Sequence, residues 1–351
     1  MYNINCVRFI TFFDETYNNL TLFILQYFSP YLNDFLLEIW YNIYKWRDNM
    51  ELDRLEKILN NLYSKETCYP GCREQWNNDN KTLGHCAIVA LLINDYFGGD
   101  ICKIKVNDIS HYFNHINDKI IDCTASQFKI DKIDYSDYII KTRDEILRNE
   151  DTKKRYELLK LKVKLSLIDE KIYNCSFCSN MVEKFPNSKT VSFGKRKDIV
   201  ILGEAPANNG WRKSGIAWYD TNHKLLPSGV VLQKLLNLID LTIEDTFFLE
   251  AIKCYPLDRK YLNKCGNNCK KFLFMQLEEI KPKVILSLGD SATKTILDFK
   301  YKKFADVVGK VFDVNGFKVI PIYHPSPISP LSYKGNEEIF KNLNLKEIAI
   351  F

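Results

Sequence analysis

The residues best suited to chemistry in this 351-residue chain gather at the ends of three apolar runs in its C-terminal half. The run 198–202 delivers Gly203-Glu204-Ala205-Pro206, and a polar loop with Asn208, Asn209 and Gly210 follows. A second run ends in Phe248-Leu249-Glu250, and a third leads into HPSPIS, which begins at His324. Ligands of open α/β sheets bind at the carboxyl ends of the strands, so these three ends belong to one candidate site. Gly203 lets backbone approach a ligand closely, and Pro206 stiffens the turn. Cys175 and Cys178 form a C-x-x-C just before the first run. Cys254 follows the second run, and Cys269 lies fifteen positions later at the start of a helical stretch. Two thiolates from a C-x-x-C plus two distant ones suit tetrahedral zinc or a four-cysteine iron–sulfur cluster equally well. Cys265 competes with Cys269 for the fourth place, and four buried thiols are the plainer alternative.

A second constellation lies in the N-terminal half. Cys86 opens an apolar helical run, a position where the helix dipole favours the thiolate. His111 follows in SHYFNHI, and Asp122 in IIDCTASQF. Cys, His and Asp in this order are what a nucleophile, its base and the base's orienter require, provided the fold brings them together. A buried structural thiol beside a core histidine is the alternative.

The elements that would position these groups follow from periodicity. Strand-like runs at 198–202, 246–249, 283–288 and 318–322 alternate with helical runs near 229–239, 268–279, 290–298 and 336–343. Such alternation predicts a three-layer α/β/α domain over 173–351, with a short four-stranded parallel sheet covered on both faces. A smaller α+β Cys-His-Asp domain is expected at 50–150. The charged run from Lys141 to Ile172 predicts a helix, with 151–172 linking the two domains. Residues 1–49, rich in Phe, Tyr, Ile and Leu, read as an extension: an amphipathic helical pair, a partner-binding arm or, the favoured reading, a stretch upstream of the true start, because Met50 opens a well-patterned helix.

The bulk numbers narrow the class. Apolar residues at 46% and charged residues at 26% describe an ordinary globular protein. A net charge of +5 tolerates nucleic acid without demanding it. Eleven cysteines is an odd count, which argues against a closed disulfide framework and for a reducing, cytoplasmic setting. No uninterrupted apolar stretch reaches membrane-spanning length, so no membrane partner is expected.

Residues 173–345 resemble the uracil-DNA glycosylase superfamily. CSFC, FGKRKDIVILGEAP, IKCYP, CKKFL, KVILSLG and HPSP occur in that family's order and spacing. The resemblance implies a glycosylase fold, a flipped-base substrate in single- or double-stranded DNA, and a 4Fe-4S cluster on Cys175, Cys178, Cys254 and Cys269, with zinc as the alternative. It implies that Gly203, Ala205 and Trp218 line the base, with Tyr219 competing for the stacking role. His324 would donate a hydrogen bond to the base oxygen that gains charge as the glycosidic bond breaks. Ser326 would grip a phosphate, and Ile328 would wedge into the gap left by the flipped base. Gly203 to Gly215 has the spacing of the broad-specificity type-b branch, which lacks the water-positioning carboxylate used elsewhere, whereas HPSPIS resembles the classical branch.

Two departures carry consequences. Glu250 stands where the family places a base-reading Asn, and an ionised carboxylate only accepts hydrogen bonds. A base edge presenting amino or N–H donors would suit it better than uracil's carbonyl edge, unless Glu250 is protonated. Asn209 or Asn208 would have to place the water, with Glu204 and Glu250 as candidate general bases. Residues 65–160 separately resemble the small bacterial YunG proteins, through W…GHCAIVAL…DYFGGD, HYFN, the D-x-T of Asp122 and Thr124, and Gln127-Phe128. The Cys–His–Asp order is also similar to transglutaminase-like and papain-like folds, which implies nucleophile, base and orienter roles for Cys86, His111 and Asp122. The whole reads as a DNA glycosylase joined to a thiol domain. The alternative is a non-cleaving sensor of modified bases that targets a Cys-His-Asp hydrolase or acyltransferase.

Overall fold

A computed structural model describes residues 50–185, 189–207, 210–297 and 299–343. The reading of residues 1–49 as an extension, and the water-placing role given to Asn208 and Asn209, lie outside the described residues. The chain divides into two units at Glu56–Lys57, and both candidate sites belong to the second. Among the described residues no helix is long and apolar enough to cross a membrane.

Helix α1 (Leu52–Asn60) precedes helix α2 (Cys86–Phe97), after which the chain forms strands β1 (Asp100–Val106), β2 (Ile109–Ile116), β3 (Lys119–Ile121) and β4 (Ile139–Lys141). These make an antiparallel sheet in the order β3-β2-β1-β4. Two Asn-Asp pairs, 107–108 and 117–118, take positive φ at both residues and so supply the hairpin turns whose twist matches the strands. Helix α2 buries Ile88 to Ile93 and is tied to the sheet by Asn114 Nδ2, which donates to the Ala90 carbonyl at 3.0 Å.

Helix α3 (Arg143–Leu147) leads into the long helix α4 (Glu150–Asn174), capped by the Asn149 side chain on the Thr152 N–H. The sequence placed a linking helix at 151–172. The helix is no bare spacer, because it packs on α2 and also on a helix of the C-terminal half, and it buries Leu159, Val163, Leu165 and Ile168.

The C-terminal half continues with β5 (Val182–Glu183), β6 (Val191–Ser192), β7 (Arg196–Gly203), α5 (Trp211–Ser214), α6 (Pro227–Asn237), β8 (Thr246–Glu250), β9 (Tyr255–Pro256) and α7 (Leu262–Ile280). It closes with β10 (Val284–Leu288), α8 (Gly289–Ile296), β11 (Phe312–Val314), β12 (Phe317–Ile322) and α9 (Lys334–Lys341). The main sheet has six strands in the order β11-β12-β10-β7-β8-β6. Its central four are parallel, as the alternation predicts, but antiparallel β11 and β6 extend the two edges, so the sheet is mixed rather than four-stranded. The flanking strands were missed because three- and two-residue pairings are too short to show a period. Along β7, Ile199 and Ile201 pack with Leu232, Leu235, Leu236 and Phe340, while Val200 and Leu202 point the other way and are equally buried. Burial on both faces is what a parallel strand with helices on either side requires.

Candidate functional site

The parallel strands bring Gly203, Glu250 and His324 to one edge of the sheet. Gly203 ends β7 paired with Glu250 at the end of β8. A Cβ at Gly203 would stand 3.0 Å from the Phe248 ring, so a side chain there would require that ring to shift. The loops beyond are joined as well, with Ala251 N–H donating to the Gly203 carbonyl at 2.8 Å and Ile252 N–H to that of Glu204 at 2.9 Å.

The surroundings of Glu250 differ from those expected of a free base-reading carboxylate. Its side chain is almost fully buried and both oxygens accept hydrogen bonds: Oε1 from Trp211 Nε1 at 2.7 Å, Oε2 from Arg212 at 2.7 and 3.0 Å. The Arg212 guanidinium lies over the Trp211 ring, 4.9 Å from its centroid. Lys253, fully buried, donates to the Glu250 carbonyl at 2.5 Å, and burial pulls its pKa down to about 8. Sequence reasoning missed Trp211, Arg212 and Lys253. A buried carboxylate needs a partner, but which of the chain's many cations supplies it is settled only by the fold.

His324 follows β12. The segment behind it is pinned by the buried Asn336, which accepts from Tyr323 N–H and donates to the Tyr323 and Ser332 carbonyls, each at 2.8 Å. Ser326 N–H turns back onto the His324 carbonyl at 2.8 Å. Although His324 keeps an exposed surface, the protein around it removes hydration and lowers its pKa; nearby Glu204 opposes that shift and Arg259 adds to it. Glu204 is paired with Arg259 at 3.2 and 3.3 Å, and that Arg is 81% exposed. Ile328 is 93% exposed, a bare apolar side chain on the same loop.

Trp218 sits in the core, edge-on to Phe248 at 4.8 Å between centroids. Its backbone is left-handed, with φ of 70°, and its buried Nε1 has no hydrogen-bond partner. The neighbouring Tyr219 hydroxyl donates to Glu244 at 2.7 Å.

The cysteines also converge. Cys178, Cys265 and Cys269 pack around Ile252, with Ala205 against them. Burial pushes the Cys254 thiol up to about 11, and neighbouring Cys269 and Cys175 push the same way. Burial likewise raises Cys269, against an opposing hydrogen bond from the Lys253 backbone, with Cys178 and Cys175 adding to the rise. Asn268 Nδ2 donates to Cys178 Sγ at 3.2 Å. Thiols that disfavour one another's ionisation, with N–H donors aimed at two sulfurs, are a donor set that a cation would stabilise. Among the described residues no three His, Cys, Asp or Glu side chains are already spaced to hold a metal ion. Cys265, buried and hydrogen-bonded to Cys178, stays beside Cys269 as a fifth thiol.

The N-terminal constellation is assembled. His111 Nε2 meets Asp122 Oδ2 at 2.5 Å, and the Cys86 thiol is within hydrogen-bonding reach of the same imidazole. Asp122 is held in turn by the Tyr135 hydroxyl at 2.8 Å and the Thr124 N–H at 2.9 Å. Phe128 packs edge-on against the His111 ring, 4.9 Å between centroids. Burial alone would lower the His111 pKa, but the hydrogen bonds to Asp122 and Cys86, reinforced by both charges, carry it to about 9. Gln127 Nε2 approaches His111 Nδ1 at 3.1 Å, and its Oε1 accepts from Gly84 N–H at 3.3 Å. Gly84 has φ of +73°, and a Cβ there would stand 2.9 Å from Cys68 Sγ. This turn, which glycine adopts without strain, sets Cys86 at the first position of α2.

The fold and the two sites define a two-part α/β protein with a glycosylase-like sheet edge and a separate Cys-His-Asp cluster. A family profile described as the uracil DNA glycosylase superfamily matches residues 191–346, and one described as YunG protein matches residues 51–167. The type-4 uracil-DNA glycosylase of Archaeoglobus fulgidus is 30% identical over 178 residues, covering 46% of this chain and 81% of that protein. That of Saccharolobus solfataricus is 28% identical over 195 residues, covering 51% and 84%. The uncharacterized protein YunG of Bacillus subtilis is 31% identical over 94 residues, covering 27% of this chain and 76% of that protein. The chain therefore belongs to the uracil DNA glycosylase superfamily through its C-terminal part and to the YunG family through its N-terminal part.

Proposed function

We propose that residues 173–351 form a DNA glycosylase domain that hydrolyses the N-glycosidic bond of uracil or a related deaminated or modified base flipped out of DNA. Residues 50–150 form the thiol domain and 151–172 the connection. The observation that carries the reading is the meeting of Gly203, Glu250 and His324 at the carboxyl edge of the parallel strands, in a chain whose relatives are named as uracil-DNA glycosylases.

Each group has a task. Extruding a nucleotide costs a few kcal/mol, and a close backbone at Gly203 and Ala205 with an aromatic wall at Trp218 helps offset that. His324 Nε2–H or Nδ1–H donates to the base oxygen as the glycosidic bond lengthens, and a lowered pKa keeps the ring neutral, so it acts as a hydrogen-bond donor rather than a strong acid. Ser326 holds a phosphate and the bare Ile328 side chain fills the vacated stack. Glu250, fixed by Arg212 and Trp211, offers its remaining acceptor capacity to a base edge that carries a donor. Cys175, Cys178, Cys254 and Cys269 would hold a 4Fe-4S cluster, or zinc, whose four metal–thiolate bonds would tie together the loops beside the pocket.

A non-cleaving sensor of modified bases is the second reading, and one observation favours it. Both carboxylates at the sheet edge, Glu204 and Glu250, are in ion pairs, which leaves neither free to activate water. Oligonucleotides carrying uracil, hypoxanthine, xanthine or substituted cytosines decide the matter when scored for alkali-labile abasic sites with wild type and His324→Ala. Product from wild type alone establishes the glycosylase and names its base. DNA binding with no product on any oligonucleotide establishes the sensor.

A further inference from the structure

We propose that the N-terminal domain is an acyl-transfer enzyme in its own right. Cys86 is the nucleophile towards a thioester or amide, His111 the proton carrier, Asp122 its orienter, and Gln127 the donor that receives the developing oxyanion.

The geometry separates the two nitrogens of His111. Nε2 is committed to Asp122, which Tyr135 and Thr124 hold in place. Nδ1 meets Gln127 Nε2 at 3.1 Å, and with Nε2 taken by Asp122 it is the nitrogen left for the Cys86 thiol that the imidazole also reaches. The Gln127 amide is oriented without ambiguity, because its oxygen accepts from Gly84 N–H while its nitrogen donates to the Thr124 carbonyl at 3.1 Å. In the thiolate–imidazolium pair Nδ1 carries the Cys86 proton and cannot accept from Gln127, which frees one Gln127 N–H at the edge of the imidazole. A tetrahedral oxyanion needs a donor there.

The steps balance. Cys86 Sγ forms a bond to the acyl carbon, and the carbonyl oxygen becomes the oxyanion facing Gln127. As the C–S or C–N bond breaks, His111 Nδ1–H passes its proton to the departing thiolate or amine, leaving an acyl-Cys86 thioester. Water, or an acceptor amine, attacks that carbon, His111 takes its proton, and Cys86 departs as thiolate.

Thiol–disulfide chemistry is the competing use of this cysteine, since Cys72 lies close enough to interact with it. Burial, and then the nearness of Cys86, push the Cys72 thiol pKa up, which makes it a poor attacking partner. A buried His–Asp relay serves proton transfer to a leaving group, a need that disulfide exchange does not have. Cys86 itself remains half-exposed, so a substrate can reach it.

The test uses the full-length protein. Limiting iodoacetamide, read by peptide mass spectrometry, should label Cys86 about tenfold faster than Cys72 or Cys123 at neutral pH. The acetyl thioester of N-acetylcysteamine should then acetylate Cys86 and turn over. Gln127→Ala should lower acyl transfer about a hundredfold while changing Cys86 alkylation by no more than about twofold, because alkylation develops no oxyanion. A merely structural role for Gln127 would depress both rates together. Should Gln127→Ala fail to fold, Tyr135→Phe, which loosens Asp122 alone, should slow both reactions of Cys86 in a folded protein. The proposal falls if wild-type Cys86 is labelled no faster than Cys123, if it is never acetylated, or if mild oxidation yields only a Cys72–Cys86 disulfide.

Discussion

The two candidate sites treat buried charge in opposite ways. At the glycosylase-like edge, Glu250 is locked between Arg212 and Trp211, both of them buried, and neither oxygen is left bare. At the thiol site, Asp122 and His111 are equally buried, yet the series ends in Cys86, which is half-exposed. The first arrangement closes on itself; the second ends at a half-exposed thiol. Structural ion pairs perturb buried ionisable groups as catalytic sites do, so the accessible end of the chain of partners is what sets the thiol site apart.

The contrast can be broken most forcefully at Arg212. Arg212→Ala leaves a buried, unpaired carboxylate and should destabilise the protein by about 3–5 kcal/mol in denaturant unfolding. Pairing it with Glu250→Leu should restore most of that loss, and no restoration would mean that the pair is not what stabilises the loop. His324→Ala should lower abasic-site formation about 10²–10³-fold with little change in melting temperature, as expected for a donor used only in the transition state.

A pH dependence sharpens the other half. His111 has a folded-state pKa of about 9, above its ordinary value, so the folded state binds the extra proton. The stability it contributes is complete below about pH 6.5 and is lost as pH rises through about 9, on the order of 1–3 kcal/mol. Asp122→Asn should flatten that fall, as followed by urea midpoints across the range. The smallest effect belongs to Arg259→Ala, which removes an exposed partner of Glu204 and should cost below about 1 kcal/mol.

The helix between the domains shows how far sequence can be read. Its charge run and three–four spacing mark a helix, and the structure has one at Glu150–Asn174. What it packs against was not legible. Arg155, buried on that helix, donates to the Thr67 carbonyl at 3.3 Å and the Gly84 carbonyl at 3.5 Å, beside the turn that presents Cys86. Asp169, further along, accepts from the Thr190 N–H at 3.2 Å and is close enough to Arg212 and Lys253 for their charges to act on it. One helix thus touches the surroundings of both sites, through partners far away in the chain.

The sequence alone determined the element types of the four parallel strands, the strand ends that carry Gly203, Glu250 and His324, and the Cys, His and Asp that meet in the thiol site. Those follow from local periodicity and from residue chemistry, which need no partner to be read. Only the tertiary structure decided that Arg212 and Trp211 claim Glu250, that Gln127 faces His111, that Asn336 pins the His324 segment, and that two short antiparallel strands close the sheet edges. Each of these is a pairing between segments distant in the chain, selected by which buried polar group or open edge needs satisfying once the core has formed.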